Sequence, residues 1–381
     1  MNSHYKRVNR HRICLICGKP DWCSYTPDAK ISFCARIITN ADRVSRTGWG
    51  VFYHEKPLFG EASLPCPKKT SPKKAELAPI EIRDFVYRKL IALSPATESD
   101  EIINGPKGLR SRKILDFENY GSLPQIQNER RKIAKIIRNS ICRRFPDYVR
   151  TQKSAAHGLP GFWFNKKDQV QIWREIDFNC PMLLIPYRDE VGRIQACQIR
   201  FMGQKLSNKG LRYLWLSTPE KSGGISSGSP LHFAGYKNGI SEIPFLITEG
   251  ALKAATTQFF KSDFNILAVG GVTCQAQKII RVTRFHPVFI AFDGDGVENL
   301  FVARAILKLI KLRIQDSEEY QYQPRIKILT WDKRIKGIDD ALLQNLAITE
   351  ISPLCWYESL SSTFRSSLET ENFSRIFSKL L

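Results

Sequence analysis

Four cysteines near the start of the sequence are spaced like a set of metal ligands. Two, five and ten residues separate the successive members, which are Cys14, Cys17, Cys23 and Cys34. Four thiolates within so short a segment suit tetrahedral zinc. Residues 24–33 predict a hairpin with its turn at 27–30, which would return Cys34 toward the first pair. The pattern predicts a zinc ribbon. The alternatives are four free core cysteines, or a site in which His11 replaces one ligand instead of lying on the surface beside it.

Three carboxylates stand where a predicted strand gives way to a predicted helix. Glu249 follows the run FLIT, and Asp293 and Asp295 follow the run VFIAF. If the two strands are neighbours, their side chains form an oxygen-rich pocket for magnesium or manganese. Such an ion can hold phosphates and stabilise phosphoryl transfer. Taken alone, the aspartate pair is more typical of a turn with solvated carboxylates, whereas its combination with Glu249 favours the metal pocket.

The elements that must position these carboxylates alternate regularly. Apolar, mostly β-branched runs predict four strands, each followed by a helical stretch, at residues 244–250, 265–271, 287–296 and 325–332. Alternating strands and helices predict an α/β fold with a mostly parallel, Rossmann-like four-stranded sheet. The functional edge of such a sheet lies at the carboxyl ends of its strands.

The middle of the chain has a different pattern. Apolar residues at helical spacing predict helices at residues 80–93 and 129–145, and residues 181–201 predict a hairpin with its turn at 189–192. Between Glu129 and Lys153 there are nine basic and two acidic residues. This run predicts a positively charged helix face, which either binds nucleic acid or is simply solvated.

Composition limits the classes of function. The chain has 381 residues, 43% of them hydrophobic, with 58 Lys and Arg against 37 Asp and Glu, a formal net charge of +21. Length predicts two or three domains, and the charge predicts a polyanionic partner, most often nucleic acid, with an anionic membrane as the competing interpretation. No run approaches the roughly 18 apolar residues of a spanning helix. The other six cysteines are scattered along the chain, which is typical of reduced thiols in the cytoplasm. We therefore expect a soluble cytoplasmic protein without a membrane partner.

Five motifs in order resemble one family. A strand ending in Glu249-Gly250 and a later strand ending in Asp-x-Asp resemble the Toprim domain, which DnaG-type primases, topoisomerases and several nucleases share. The other motifs are the N-terminal ribbon hairpin SYTPDAKISFC, the strand pair with Pro186, Arg188, Asp189, Gly192, Arg193 and Arg200, the element from Arg212 to Ser217, and the acidic motif from Lys336 to Asp340. The sequence thus resembles the DnaG-like Toprim primase family. Its motifs CGKPDWC and TEGxxKA are most similar to those of primase-like proteins of phages, plasmids and integrative elements.

The resemblance implies roles for individual residues. Glu249, Asp293 and Asp295 would be the catalytic ligands of magnesium or manganese, with Asp339 and Asp340 as weaker candidates. Template or nucleotide phosphates would be bound by Arg188, Arg200, Arg212 and Lys253. The alternative for the arginines is a set of exposed strand residues. Lys253 departs from the family, because chromosomal primases usually have an acid there, and the ribbon has one CxxC pair instead of two.

The resemblance also implies a domain order. The expected segments are a zinc ribbon at 1–55, a basic Pro/Lys linker at 56–78, a helical basic region at 79–153, the N-terminal part of a primase-like core at 154–240, a Toprim domain at 241–350 and a C-terminal tail at 351–381.

The expected function is that of a primase-like nucleotidyltransferase of a mobile genetic element. It would make primers on single-stranded DNA from nucleoside triphosphates, with structural zinc and catalytic magnesium or manganese. No P-loop is present, so a replicative helicase would be a separate partner. The alternatives are a non-catalytic DNA-binding accessory protein with a degenerate Toprim domain, and a Toprim nuclease.

Overall fold

The computed structural model describes most of the chain in two compact units, Met1–Lys73 and Lys74–Leu381. The described residues are 5–9, 11–38, 41–45, 49–54, 76–152, 154–202, 212–237, 242–272, 275–294, 299–362 and 365. Most of the predicted linker and of the predicted tail therefore lies outside them.

The first unit is a small antiparallel sheet. Its strands are β1 (Lys6–Arg7), β2 (Ser24–Tyr25), β3 (Ile31–Cys34), β4 (Arg43–Val44) and β5 (Gly50–Tyr53), in the order β1-β2-β3-β5-β4. The predicted hairpin is confirmed, because β2 pairs with β3 in antiparallel register. The buried apolar residues are few and surround the cysteines, with Val8, Tyr25 and Phe52 among them. So small a core gives little stability by apolar burial alone.

The second unit begins with helices and a curved antiparallel sheet. Its first elements are α1 (Ile80–Leu93), α2 (Asp100–Asn104), β6 (Gly121–Ser122), α3 (Gln127–Arg144), α4 (Pro146–Gln152), β7 (Phe162–Phe164), β8 (Val170–Ile172), β9 (Met182–Arg188), β10 (Ile194–Phe201) and β11 (Tyr213–Trp215). The predicted helices and the predicted hairpin β9–β10 are confirmed, with α3 starting two residues early. The sheet order is β11-β10-β9-β6, and β7 pairs with β8.

Side chains of β9 alternate between two cores. Met182 and Leu184 pack with α1 and α3 on one face of the sheet. Leu183, Ile185 and Tyr187 pack on the other face, against α2 and the first helix of the following α/β part. Because successive side chains of a strand point to opposite faces, β9 is buried on both sides.

The rest of the second unit is an α/β sandwich. Its elements are β12 (His232–Ala234), β13 (Phe245–Glu249), α5 (Ala251–Phe260), β14 (Asn265–Val269), α6 (Ala276–Val282), β15 (Val288–Ala291), α7 (Leu300–Glu319), β16 (Ile326–Thr330), α8 (Ile338–Leu343), β17 (Thr349–Ile351) and α9 (Pro353–Glu358). The sheet order is β12-β14-β13-β15-β16-β17. The central four strands are parallel, as predicted. Helices α6, α7 and α9 cover one face, and α5 and α8 cover the other.

The sheet is wider than the predicted four strands. Strands β12 and β17 add one antiparallel edge each, to β14 and β16. Each has only three residues, too few for a clear alternation of apolar and polar residues, so the sequence pattern did not reveal them. In the described part of the chain, no helix combines the length and apolar character needed to cross a membrane.

Candidate functional site

The four predicted cysteines come together in the first unit. Their sulfur atoms all lie within 4.8 Å of one another. Cys17 Sγ is 3.6 Å from Cys23 Sγ, which is 3.9 Å from Cys34 Sγ. A zinc ion with four sulfurs at about 2.3 Å requires tetrahedral edges of about 3.8 Å. These residues therefore fit zinc, whereas His11 lies exposed and outside the cluster.

Backbone amides support the sulfurs. Ala35 N donates to Cys23 Sγ at 3.4 Å, and Ile37 N donates to Cys34 Sγ at 3.3 Å. The hydrogen bond with Cys23 lowers the pKa of the Cys14 thiol below its ordinary value. Gly18 has a φ of +67°, and no atom lies within 4 Å of an added Cβ. Its role is therefore to form the left-handed turn after Cys17.

The ribbon aromatics divide between packing and exposure. Tyr25 is buried, Phe33 and Trp49 are half-buried, and Trp22 is 52% exposed. Phe33 packs edge-on against Tyr5 with ring centroids 4.8 Å apart. Most of these rings therefore pack within the ribbon, and Trp22 is the most exposed of the four.

The carboxylates lie at one edge of the parallel sheet. Glu249 ends β13, and Asp293 follows β15, which pairs directly with β13. Asp339 belongs to the first turn of α8 and is 1% exposed, whereas Asp340 is exposed. Asp295 lies outside the described residues. Parallel strands end at the same edge, which is why residues 44 positions apart become neighbours.

Lys253 occupies the centre of this group. It lies in the first turn of α5, and its Nζ contacts Asp293 Oδ1. Lys336 Nζ approaches the other oxygen of Asp293 at 3.4 Å. Burial lowers the pKa of Lys253, but the carboxylates of Asp293, Asp339 and Glu249 outweigh burial and raise that pKa above its ordinary value. Lys253 therefore carries a full positive charge among three acids at neutral pH.

Arg112 is a site residue that the sequence analysis missed. Its Nη1 donates to Asp339 Oδ2 at 2.7 Å, and the two side chains are only 14% and 2% exposed. The Arg112 carbonyl accepts a hydrogen bond from Thr256 Oγ1 of α5 at 2.9 Å. The loop that carries Arg112 follows α2, 227 residues before Asp339. Nothing in its local sequence indicated the contact, because Arg112 stands in an ordinary basic segment.

A backbone constraint keeps these groups close. A Cβ on Gly337 would lie 2.2 Å from Asp339 Oδ1 and 3.1 Å from Lys253 Cε. A larger residue at position 337 would therefore force the Asp339 carboxylate to shift. The glycine of the acidic motif thus leaves room for this carboxylate beside Lys253.

The described carboxylates have protein cations as partners. Both oxygens of Asp293 face lysines, and Asp339 Oδ2 faces Arg112. Among the described residues, only the four cysteines gather three or more metal-binding groups. While Lys253 holds Asp293, this arrangement does not fit a divalent cation, because a positive charge already stands where the ion would bind.

The predicted phosphate-binding arginines do not form one group. Arg200 is buried, donates to Lys107 O at 3.0 Å and interacts electrostatically with Arg112, Arg212 and Asp339. Its strand partner is Leu183, five residues from Arg188, a separation of about 17 Å along the strand. Arg188 donates instead to Gly192 O and Asn119 O near the hairpin turn. Arg200 and exposed Arg212 therefore lie toward the carboxylates, and Arg188 does not.

Comparison with solved structures returns primase domains. The RNA polymerase domain of Mycobacterium tuberculosis DnaG in complex with double-stranded DNA matches with a TM-score of 0.46 and 13% identity, over 79% of this chain and 92% of that chain. The E. coli primase catalytic core matches with 0.45 and 16%, over 79% and 91%. The zinc-binding and RNA polymerase domains of Aquifex aeolicus primase match with 0.42 and 14%, over 100% and 89%. No protein-family model and no curated protein matches the sequence. These three solved structures are domains of primases, the class of protein that the sequence motifs resemble.

Proposed function

We propose that the protein is a primase-like nucleotidyltransferase of a mobile genetic element that makes primers on single-stranded DNA. The observation that carries the proposal is the meeting of Glu249, Asp293 and Asp339 around Lys253 at the carboxyl edge of the parallel sheet. Ligands bind at this edge in α/β sheets. Acidic and basic side chains that lie together at this edge are suited to a substrate with both groups. The basic side chains suit its phosphates, and the acidic side chains suit its hydroxyl groups.

The basic residues of the site would bind the triphosphate of an incoming nucleotide. Arg212 is exposed, and Arg200 and Arg112 stand behind it near Asp339. A guanidinium group grips two phosphate oxygens at once, and Lys253 offers a compact point charge. The role of these side chains is to bind and orient the phosphates, and the buried Arg112 holds the Asp339 carboxylate in place.

Metal ions enter the proposal in two places. Zinc, held by the four cysteines, would fix the fold of the ribbon, which would engage the single-stranded template. Magnesium or manganese is proposed at Glu249, Asp293 and Asp295, with Asp339 and Asp340 as weaker ligands, and the ion would bind there only when Lys253 releases Asp293. A separate replicative helicase is the proposed protein partner.

Primer synthesis tests the proposal directly. The assay combines a single-stranded template, labelled nucleoside triphosphates and magnesium or manganese, and it scores both new oligomers and template cleavage. We expect oligomers from the wild type and none from Asp293→Asn. Asp263→Asn, an exposed acid outside the site, is the matched control and should keep activity. Template cleavage that Asp293→Asn alone abolishes would identify a nuclease instead.

A second candidate is a non-catalytic DNA-binding module. The contact of Lys253 with Asp293 favours it, because the pair neutralises the site without a metal ion. Under this alternative, wild type and Asp293→Asn bind single-stranded DNA equally well and neither makes oligomers. The same assay therefore separates the two candidates.

A further inference from the structure

Helix α3 carries a dense positive surface that the candidate active site does not use. Five exposed side chains are here called the basic face: Arg131, Lys132, Lys135, Arg138 and Arg143. One of them, Arg131, donates from Nε to Gln171 Oε1 at 3.3 Å. At 100° and 1.5 Å per residue, the five side chains occupy an arc of about 140° over a length of about 18 Å. The opposite arc is buried and includes Ile133, Ile137 and Ile141.

The charge of this face is not balanced by nearby acids. Glu129 lies in the first turn, outside the arc, and the next acid along the chain, Asp147, pairs with Arg150 at 2.6 Å. Among the described residues, the ion pairs within 4 Å include none with a member of the basic face. An uncompensated row of cations repels itself and favours a polyanion.

The face lies on the far side of the β9–β10 sheet from the carboxylates. Helix α3 packs on the core that contains Met182 and Leu184, whereas α5, which carries Lys253, packs on the core that contains Leu183 and Ile185. The basic face is therefore a separate surface and not an extension of the candidate active site.

The chemistry of the face selects its partner. Helix α3 has no aromatic residue, so it offers no platform on which unpaired bases could stack. Its apolar arc is buried in the core, and the exposed Ile136 is too little apolar surface for insertion into a membrane. A helix holds its cations at fixed spacing, and these side chains would contact phosphates and not base edges. Such an arrangement is suited to the phosphates of a double helix.

We propose that the basic face of α3 binds the phosphate backbone of a nucleic-acid duplex, independently of base sequence. This surface acts in addition to the proposed binding of single-stranded template. It would hold duplex on the side of the sheet away from the carboxylates, and the proposal stands whether or not the protein synthesises primers.

The test compares two triple variants of the full chain. The first changes Lys132→Gln, Lys135→Gln and Arg138→Gln. The control changes Arg281→Gln, Lys308→Gln and Lys327→Gln, which are also exposed, lie on other elements and remove the same charge. Glutamine preserves helix propensity, so α3 should stay folded. Binding is measured on a labelled DNA duplex of about 20 base pairs and on a single strand of equal length, across about 50 to 200 mM salt.

We expect the first variant to lose at least about tenfold in duplex affinity, with a salt slope lower by about 3, one for each lost phosphate contact. Single-strand affinity should change by no more than it does in the control. A duplex slope equal to that of the control would overturn the proposal, as would an equal loss on single strands. Loss of binding to vesicles of anionic lipid, with duplex binding intact, would assign the face to membranes. If the triple variant does not fold, Lys135→Gln and Arg138→Gln alone should each lower the slope by about 1.

Discussion

Replacing Lys253 tests whether a protein cation controls metal binding at the carboxylates. Lys253→Met removes the ammonium group and keeps a side chain of similar length. In the wild type, Lys253 contacts Asp293, and the two side chains are 22% and 9% exposed. We expect the variant to bind a divalent cation more tightly than the wild type does, because Asp293 becomes available to the ion.

The size of the effect follows from the geometry. An ion ligated by Asp293 would lie about 2 Å from its oxygen and hence within about 4 Å of the ammonium. A divalent ion and a unit positive charge 4 Å apart repel by about 8 kcal/mol at an effective dielectric constant near 20. Because about 1.4 kcal/mol corresponds to a factor of ten, the upper limit is roughly a millionfold. Lys253 can swing partly away, so we expect at least about a tenfold gain.

Manganese binding measured by electron paramagnetic resonance on the zinc-loaded chain is the assay, and it needs no enzymatic activity. Lys336→Met is the matched control, since Lys336 faces the same carboxylate at 3.4 Å but is 71% exposed. An exposed pair contributes at most about 1 kcal/mol, so this control should gain less than about fivefold. Lys253→Arg, which keeps the charge, should remain at the wild-type affinity.

Two results would refute the reasoning. One is manganese binding by the wild type that is as tight as in Lys253→Met. The other is an absence of binding in both, which would mean that the carboxylates do not form a metal site even when Lys253 is removed.

Three further predictions concern zinc, a buried ion pair and pH. Cys34→Ser should reduce the zinc content well below one ion per chain by elemental analysis and unfold the ribbon, while circular dichroism retains the signal of the α/β part. Arg112→Ala should lower the free energy of unfolding by about 3 to 5 kcal/mol in urea titrations, because Asp339 stays buried without its partner; a loss below about 1 kcal/mol contradicts this. Burial, aided by the charge of Arg188, lowers the pKa of His232 to about 3, so stability is fully present above pH 6.5 and is lost as pH falls toward 3. The loss should be about 1.4 kcal/mol per pH unit and absent from His232→Gln, and equal pH profiles for the two proteins would disprove it.

Much of the fold was predictable from local patterns in the sequence. The bounds of α1, the hairpin β9–β10 and the four parallel strands followed from apolar periodicity and turn residues, which act over a few positions. The cysteine cluster was predictable for the same reason, since its four ligands lie within 21 residues and a hairpin brings them together. Edge strands β12 and β17 are too short to give such a signal.

The partners of the carboxylates were decided only by the tertiary structure. The sequence predicted that Glu249 and Asp293 form a pocket for a divalent cation, but the fold sets the Lys253 ammonium against Asp293 and close enough to Glu249 to interact electrostatically. It also brings Arg112 across 227 residues to Asp339. Charge pairing depends on distances of a few ångströms between side chains on different elements, whereas the sequence records only residue type and order. Local spacing therefore determined where the candidate site would form, and packing between elements determined which charges meet there.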